Sequence, residues 1–256
     1  MRLSALVLVL GVAAQGAWAD VNRLIDAMGV PEIIAAFATE GIKAGQSIDE
    51  SFLNGQGGDV WADTVLRLYD VARMENELRT AMAEELDAEV AEQALLFLES
   101  DLGVRIIDLE VQARQAFIDE SVEAAAKASP SAQGDPVTDY IVSRDLIERN
   151  VDVAVAAQAA FLEGFSEASG RLDDLPDMDQ LRARILVDTE SWLRGYNALV
   201  QSAMTEDEID IYTAFWDTEV GEAVDDALFV AFGQSYTTLS YALGQAAGRL
   251  APQNEL

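Results

Sequence analysis

The sequence predicts an all-α protein, a helical bundle built from two diverged tandem helical repeats. Three observations carry that reading. Apolar residues recur at three- and four-residue spacing along most of the chain. Ser, Thr and Asp stand where such runs begin, as N-caps do. A stretch that stops one helix and at once restarts another occurs twice.

Met1 to Ala19 reads as a secretory signal peptide: Arg2 supplies positive charge, Leu3 to Ala14 the apolar core, and Ala17-Trp18-Ala19 a small-x-small cleavage site before Asp20. The apolar run is too short to span a bilayer comfortably. The first repeat is expected over 20–129. A short helix near 21–28 ends at Gly29, and Pro31 opens the next in its first turn, where the missing N–H costs nothing. Asn54-Gly55-Gln56-Gly57-Gly58 is a loop before a long helix from about Asp59, with Leu66, Leu68 or Tyr69, Ala72, Leu78 and Met82 on its apolar face. Asp87 caps a helix that runs into Phe97 and stops. Ser100 restarts it, and one long amphipathic helix follows through Ile107, Val111, Ile118 and Val122. Residues 130–136 are the linker, built on Ser129-Pro130-Ser131-Ala132-Gln133-Gly134.

The second repeat is expected over 137–250, after Asp135-Pro136 opens a new helical run. Leu146-Ile147-Glu148 parallels Leu24-Ile25-Asp26, and Glu163-Gly164 parallels Glu40-Gly41. Asp188 to Asp226 aligns without a gap on Asp70 to Asp108, a constant shift of 118 (188 less 70). Thr205 and Glu208 form a capping box, Ile209, Tyr212 and Phe215 or Trp216 share a face, and Thr218 caps a second helix with Gly221 in its first turn. The earlier copy offers Phe97, Ser100, Asp101, Leu102 and Gly103 in the same order.

This stretch resembles the bacterial domain-of-unknown-function 2059 family. Glu206-Asp207-Glu208-Ile209 matches its acidic opening, Phe215-Trp216 its aromatic pair, and Thr218 and Gly221 its restart. Glu219 stands where that family commonly has proline, and Leu98 replaces the second aromatic of the first copy. The resemblance implies a secreted, all-helical protein and brings no known activity.

Charge and composition narrow the function. The chain has 16 Lys and Arg against 46 Asp and Glu, a net charge of −30. Such a chain repels nucleic acid and anionic membranes. With no histidine and no cysteine, it has no thiol nucleophile, histidine base, ordinary zinc site or disulfide. No phosphate loop or nucleophile elbow appears, so no catalytic, cofactor or metal residue is assigned. Asp173, Asp174, Asp177 and Asp179 offer hard oxygen ligands without the spacing of a calcium loop; Asp177 with Gln180 reads more simply as a capping box.

Ala227 to Ala247 carries no charge, yet six Ser, Thr and Gln side chains make it too polar for a membrane span. It reads as a central core helix, with Phe229, Phe232, Tyr236, Leu239 and Leu243 buried. Ser240, Gly244 and Gly248 form a ridge for a close helix of the same chain or, second, for self-association. The expected function is a non-catalytic, exported protein-interaction module; the alternative is a binder of divalent cations or a small apolar ligand, with a hydrolase third.

Overall fold

The computed structural model describes residues 10–128, 135–170 and 177–252, with side chains from Trp18 onward. Twelve α-helices account for nearly all of them, and no strand occurs among the described residues: α1 (Leu10–Ala27), α2 (Val30–Phe52), α3 (Gly58–Leu68), α4 (Val71–Glu85), α5 (Ala88–Leu98), α6 (Asp101–Ala116), α7 (Glu120–Lys127), α8 (Pro136–Ser143), α9 (Leu146–Ser169), α10 (Met178–Gln201), α11 (Glu206–Trp216) and α12 (Glu219–Leu250). The all-α expectation holds. One core cluster runs from Val21 on α1 to Ala247 on α12 and draws on both halves of the chain.

The expected stops and restarts are present. Thr205 Oγ1 accepts from Glu208 N, and Glu208 Oε2 accepts from Thr205 N at 2.8 Å, completing the capping box. Ser100 Oγ accepts from Gly103 N at 3.1 Å, and Thr218 Oγ1 accepts from Gly221 N at 3.0 Å. Helices α5 and α11 occupy corresponding residues at the 118-residue shift, as do the starts of α6 and α12. The two corners also meet: Phe97 and Phe215 stack with centroids 4.4 Å apart. Each corner glycine faces the end of the helix before it, where a Cβ on Gly103 would lie 2.2 Å from Phe97 O and one on Gly221 2.3 Å from Phe215 O.

Outside the corners the halves differ. Residues 24–26 end one helix, α1, whereas 146–148 open another, α9. The long helix expected from Asp59 is two, α3 and α4, because Asp70 accepts from Arg73 N at 2.8 Å and starts a new one. That break shifts the buried face: Trp61, Val65 and Tyr69 are buried, and Leu66 is 53% exposed. The long helix expected after Gly103 likewise divides into α6 and α7, where Asp119 accepts from Ser121 N at 2.8 Å. Residues 130–134 of the expected linker lie outside the described residues.

Helix α12 is the centre of the bundle and packs on α2, α3, α4, α5, α9 and α11. Its closest neighbour is α9, and the two run in the same direction, since Val153, Phe161 and Phe165 meet Gly233, Gly244 and Gly248 in rising order. A Cβ on Gly244 would lie 2.0 Å from Phe161 O, and one on Gly164 would lie 2.3 Å from Tyr241 O, so the backbones touch. The self-association expected through Ser240, Gly244 and Gly248 is thereby corrected. Gly244 and Gly248 are buried against α9, and no second copy has access to them. Among the described residues no helix is long and apolar enough to cross a membrane.

Candidate functional site

The uncharged stretch of α12 fills the core only in part. Leu239 and Leu243 are buried as expected, but Phe229, Phe232 and Tyr236 are half-buried. They line a cleft of about 290 Å³. Asp225 and Leu228 extend this wall toward the start of α12; Leu146, Asn150 and Val153 of α9 face it, together with Trp192 and Tyr196 of α10. Ile33 of α2, Arg114 of α6 and Arg144 from the α8–α9 turn complete the lining.

Local sequence explains how each wall is held. Trp192 and Tyr196, four residues apart on one helical face, stack at 5.0 Å with planes 10° apart. Phe117 abuts both rings edge-on from behind, at 5.5 and 5.6 Å. Tyr236 meets Phe37 edge-on at 4.6 Å, and burial raises its phenol to about 12, so it stays neutral. Asp145 takes φ 50°, a left-handed conformation that Asp tolerates, and this turn sends Arg144 inward between α8 and α9.

Charged groups gather at the Asp225 end. Asp225 is 4% exposed and accepts from two guanidiniums, Arg144 and, at 2.9 Å, Arg149 Nη1. Arg149 also pairs with Asp226 at 2.7 Å. The Arg144 guanidinium lies 4.0 Å over the Trp216 ring and donates to Tyr140 Oη, and Arg149 lies 4.0 Å over Phe229. Arg114 holds Glu40 through both guanidinium nitrogens and sits 5.7 Å over Trp192. Beneath this layer Tyr212 Oη donates to Glu110 Oε1 at 2.8 Å, and Tyr196 Oη donates to the Glu110 carbonyl at 3.0 Å. Glu110 keeps part of its surface in solvent, yet burial raises its carboxyl pKa; the Tyr212 bond and Arg144 oppose the rise. Tyr140 and Tyr212 are both raised chiefly by burial.

The cation-binding expectation falls elsewhere. Asp173 and Asp174 lie outside the described residues, and Asp177 spends its carboxylate on Asp179 N and Gln180 N, at 3.0 and 3.2 Å. The Gln180 amide donates to Asp177 Oδ2, so the capping is one-sided. Among the described residues no group of three or more acidic side chains is placed to hold a metal ion. Sequence reasoning missed the cleft because a helical aromatic face at 229, 232 and 236 reads the same whether its partners fill the space or stop short. The signal lies in Asp225, two residues before the uncharged stretch, which is a buried charge.

No protein-family model, curated protein or solved structure matches this chain.

Proposed function

We propose that the protein is an exported, non-catalytic binding protein that takes a small, largely apolar ligand into the cleft between α9, α10 and α12. One observation carries the reading: five aromatic side chains, Trp192, Tyr196, Phe229, Phe232 and Tyr236, line one concavity together with a few polar groups, Asp225 and Arg144 among them. Its volume of about 290 Å³ suits a ligand of one or two rings. The protein-interaction reading would rest on a contiguous exposed apolar patch. Among the described residues no helix carries more than two exposed large apolar side chains, from Val60 and Leu66 on α3 to Val230 and Leu250 on α12. Export is supported by the leader pattern and by the resemblance of residues 205–221. It also fits the core: among the described side chains Trp18 is 45% exposed and Val21 is the first buried one, so cleavage before Asp20 leaves the core residues from Val21 onward in place.

The test uses the neutral apolar probe N-phenyl-1-naphthylamine, titrated into the purified protein and followed by its fluorescence. Saturable one-to-one binding is expected, and Val153→Trp, which puts an indole into the cleft, should abolish it while the far-UV circular dichroism stays helical. Absent or non-saturable binding, or binding untouched by Val153→Trp, would refute the reading.

A further inference from the structure

Each ionised side chain in the lining of the cleft already has its counter-charge. We propose, resting on the cleft reading above, that the site selects against charge: its ligand is an uncharged compound of one or two rings, and organic ions of the same shape bind weakly. Three lining residues are ionised, Arg114, Arg144 and Asp225. Arg114 has a side chain 12% exposed and spends both terminal guanidinium nitrogens on Glu40. Arg144 spends its own on Asp225 and Tyr140. The second oxygen of Asp225 accepts from Arg149 Nη1 at 2.9 Å, and Arg149 Nη2 donates to Asp226 at 2.7 Å. Glu40, Arg149 and Asp226 stand outside the lining, and with them the three lining ions make a set of three guanidiniums against three carboxylates.

A charged ligand entering this site sheds its hydration shell and meets no free partner. A carboxylate would have to displace Glu40 or Asp225, and an ammonium would have to draw Asp225 away from its two guanidiniums. The rings offer a cation little, because Arg114 already lies 5.7 Å over Trp192 and Arg149 4.0 Å over Phe229. The polar atoms left without a partner are neutral ones. Tyr236 Oη makes no hydrogen bond among the described residues, and its phenol stays protonated. Asn150 gives its Nδ2 to Leu146 O at 2.7 Å and leaves its amide oxygen unused. Uncharged groups such as an amide or an alcohol can use these atoms, and the rest of the lining is aromatic rings and aliphatic side chains.

The experiment displaces N-phenyl-1-naphthylamine from the unaltered protein at pH 7 with three competitors of similar shape: 2-naphthamide, 2-naphthoate and the 2-naphthylmethylammonium ion. The amide should bind about ten-fold or more tightly than either ion. The ammonium ion is the stringent arm, because a chain of net charge −30 attracts it and would rank it first if the surface field decided. Glu40→Gln, once circular dichroism shows it folded, leaves Arg114 without its counter-charge; naphthoate should then strengthen about ten-fold while the amide stays within about two-fold. An ion that matches or exceeds the amide, an amide that displaces nothing, or naphthoate unmoved by Glu40→Gln each overturn the uncharged ligand. In all three cases saturable dye binding leaves the apolar cleft standing, and its absence overturns both.

Discussion

Replacing Gly244 by alanine tests the seam on which the bundle is built. The added Cβ would lie 2.0 Å from Phe161 O, 2.8 Å from Phe161 C and 2.9 Å from Phe165 N. All three are backbone atoms of a helix, so no side chain can turn away. Restoring an ordinary 3.4 Å contact requires α9 and α12 to part by about 1.4 Å (3.4 less 2.0) at that point. Overpacking of this kind costs about 1–3 kcal/mol. Alanine also favours helix over glycine by about 1 kcal/mol, which would blur the measurement taken alone. Gly233 on the same helix removes that ambiguity. A Cβ there meets only Val153 Cγ2, at 3.5 Å, so Gly233→Ala gains the helix preference without the clash. The difference between the two variants is then the cost of the seam, about 1–3 kcal/mol or roughly 2–12 °C in melting temperature for a chain of this size. Thermal melts followed at 222 nm, with light scattering for mass, read it directly. Equal melting temperatures would refute the packing argument. A Gly244→Ala protein that melts normally but loses an oligomer would return the ridge to self-association.

Four further outcomes follow from the same geometry. Asp225→Asn leaves Arg144 and Arg149 buried without their shared anion and should cost about 3–5 kcal/mol in urea denaturation, whereas Asp226→Asn, at a solvated rim, should change stability little. Glu110 has a folded pKa above its ordinary 4.5, so the folded state holds the proton more tightly and stability is lost as pH rises through that window. Glu110→Gln should therefore match the parent at pH below 4.5 and become the more stable of the two as pH rises, with a pH-independent difference refuting the assignment. Ser100→Ala and Thr218→Ala each remove a cap bond and should each cost about 0.5–2 kcal/mol, additively if the corners act independently. N-terminal sequencing of protein from its native host should begin at Asp20; a sequence beginning Met1-Arg2 would refute export by cleavage.

What the sequence makes legible is local. Capping at Ser100, Thr205 and Thr218 depends on residues within one turn, and each appears where hydroxyl, acid and spacing put it. Asp70 and Asp119 are equally good caps, but each sits inside an apolar periodicity that runs on past it, so periodicity alone carries a continuous helix across both breaks. Gly244 and Gly248 announce a close approach, yet a ridge of small residues does not say whether its partner is α9 or another molecule. The cleft is less legible still. Arg114, Arg144, Trp192 and Asp225 come from four separated parts of the chain, and no spacing rule links them. Only tertiary packing turns Asp225 from a flanking acid into the anion that Arg144 and Arg149 share.

An apolar cleft in a helical bundle tends to collapse, because closing it buries more surface and restores lost contacts. Two anchors on α12 oppose that here. At one end Asp225 draws Arg144 and Arg149 together in a network whose bond directions fix where α9 begins relative to α12. At the other end Gly244 and Gly248 bring the two backbones into contact and allow no closer approach. Nineteen residues separate Asp225 from Gly244, roughly 28 Å of helix. Between the anchors the separation is already set, and Val153 and Leu228 are too short to fill it. On the α10 side Phe117 braces Trp192 and Tyr196, which keeps that wall from folding inward. The space is therefore held open by packing outside it, an arrangement that keeps Trp192, Tyr196, Phe229, Phe232 and Tyr236 half-buried along the cleft instead of fully enclosed in the core.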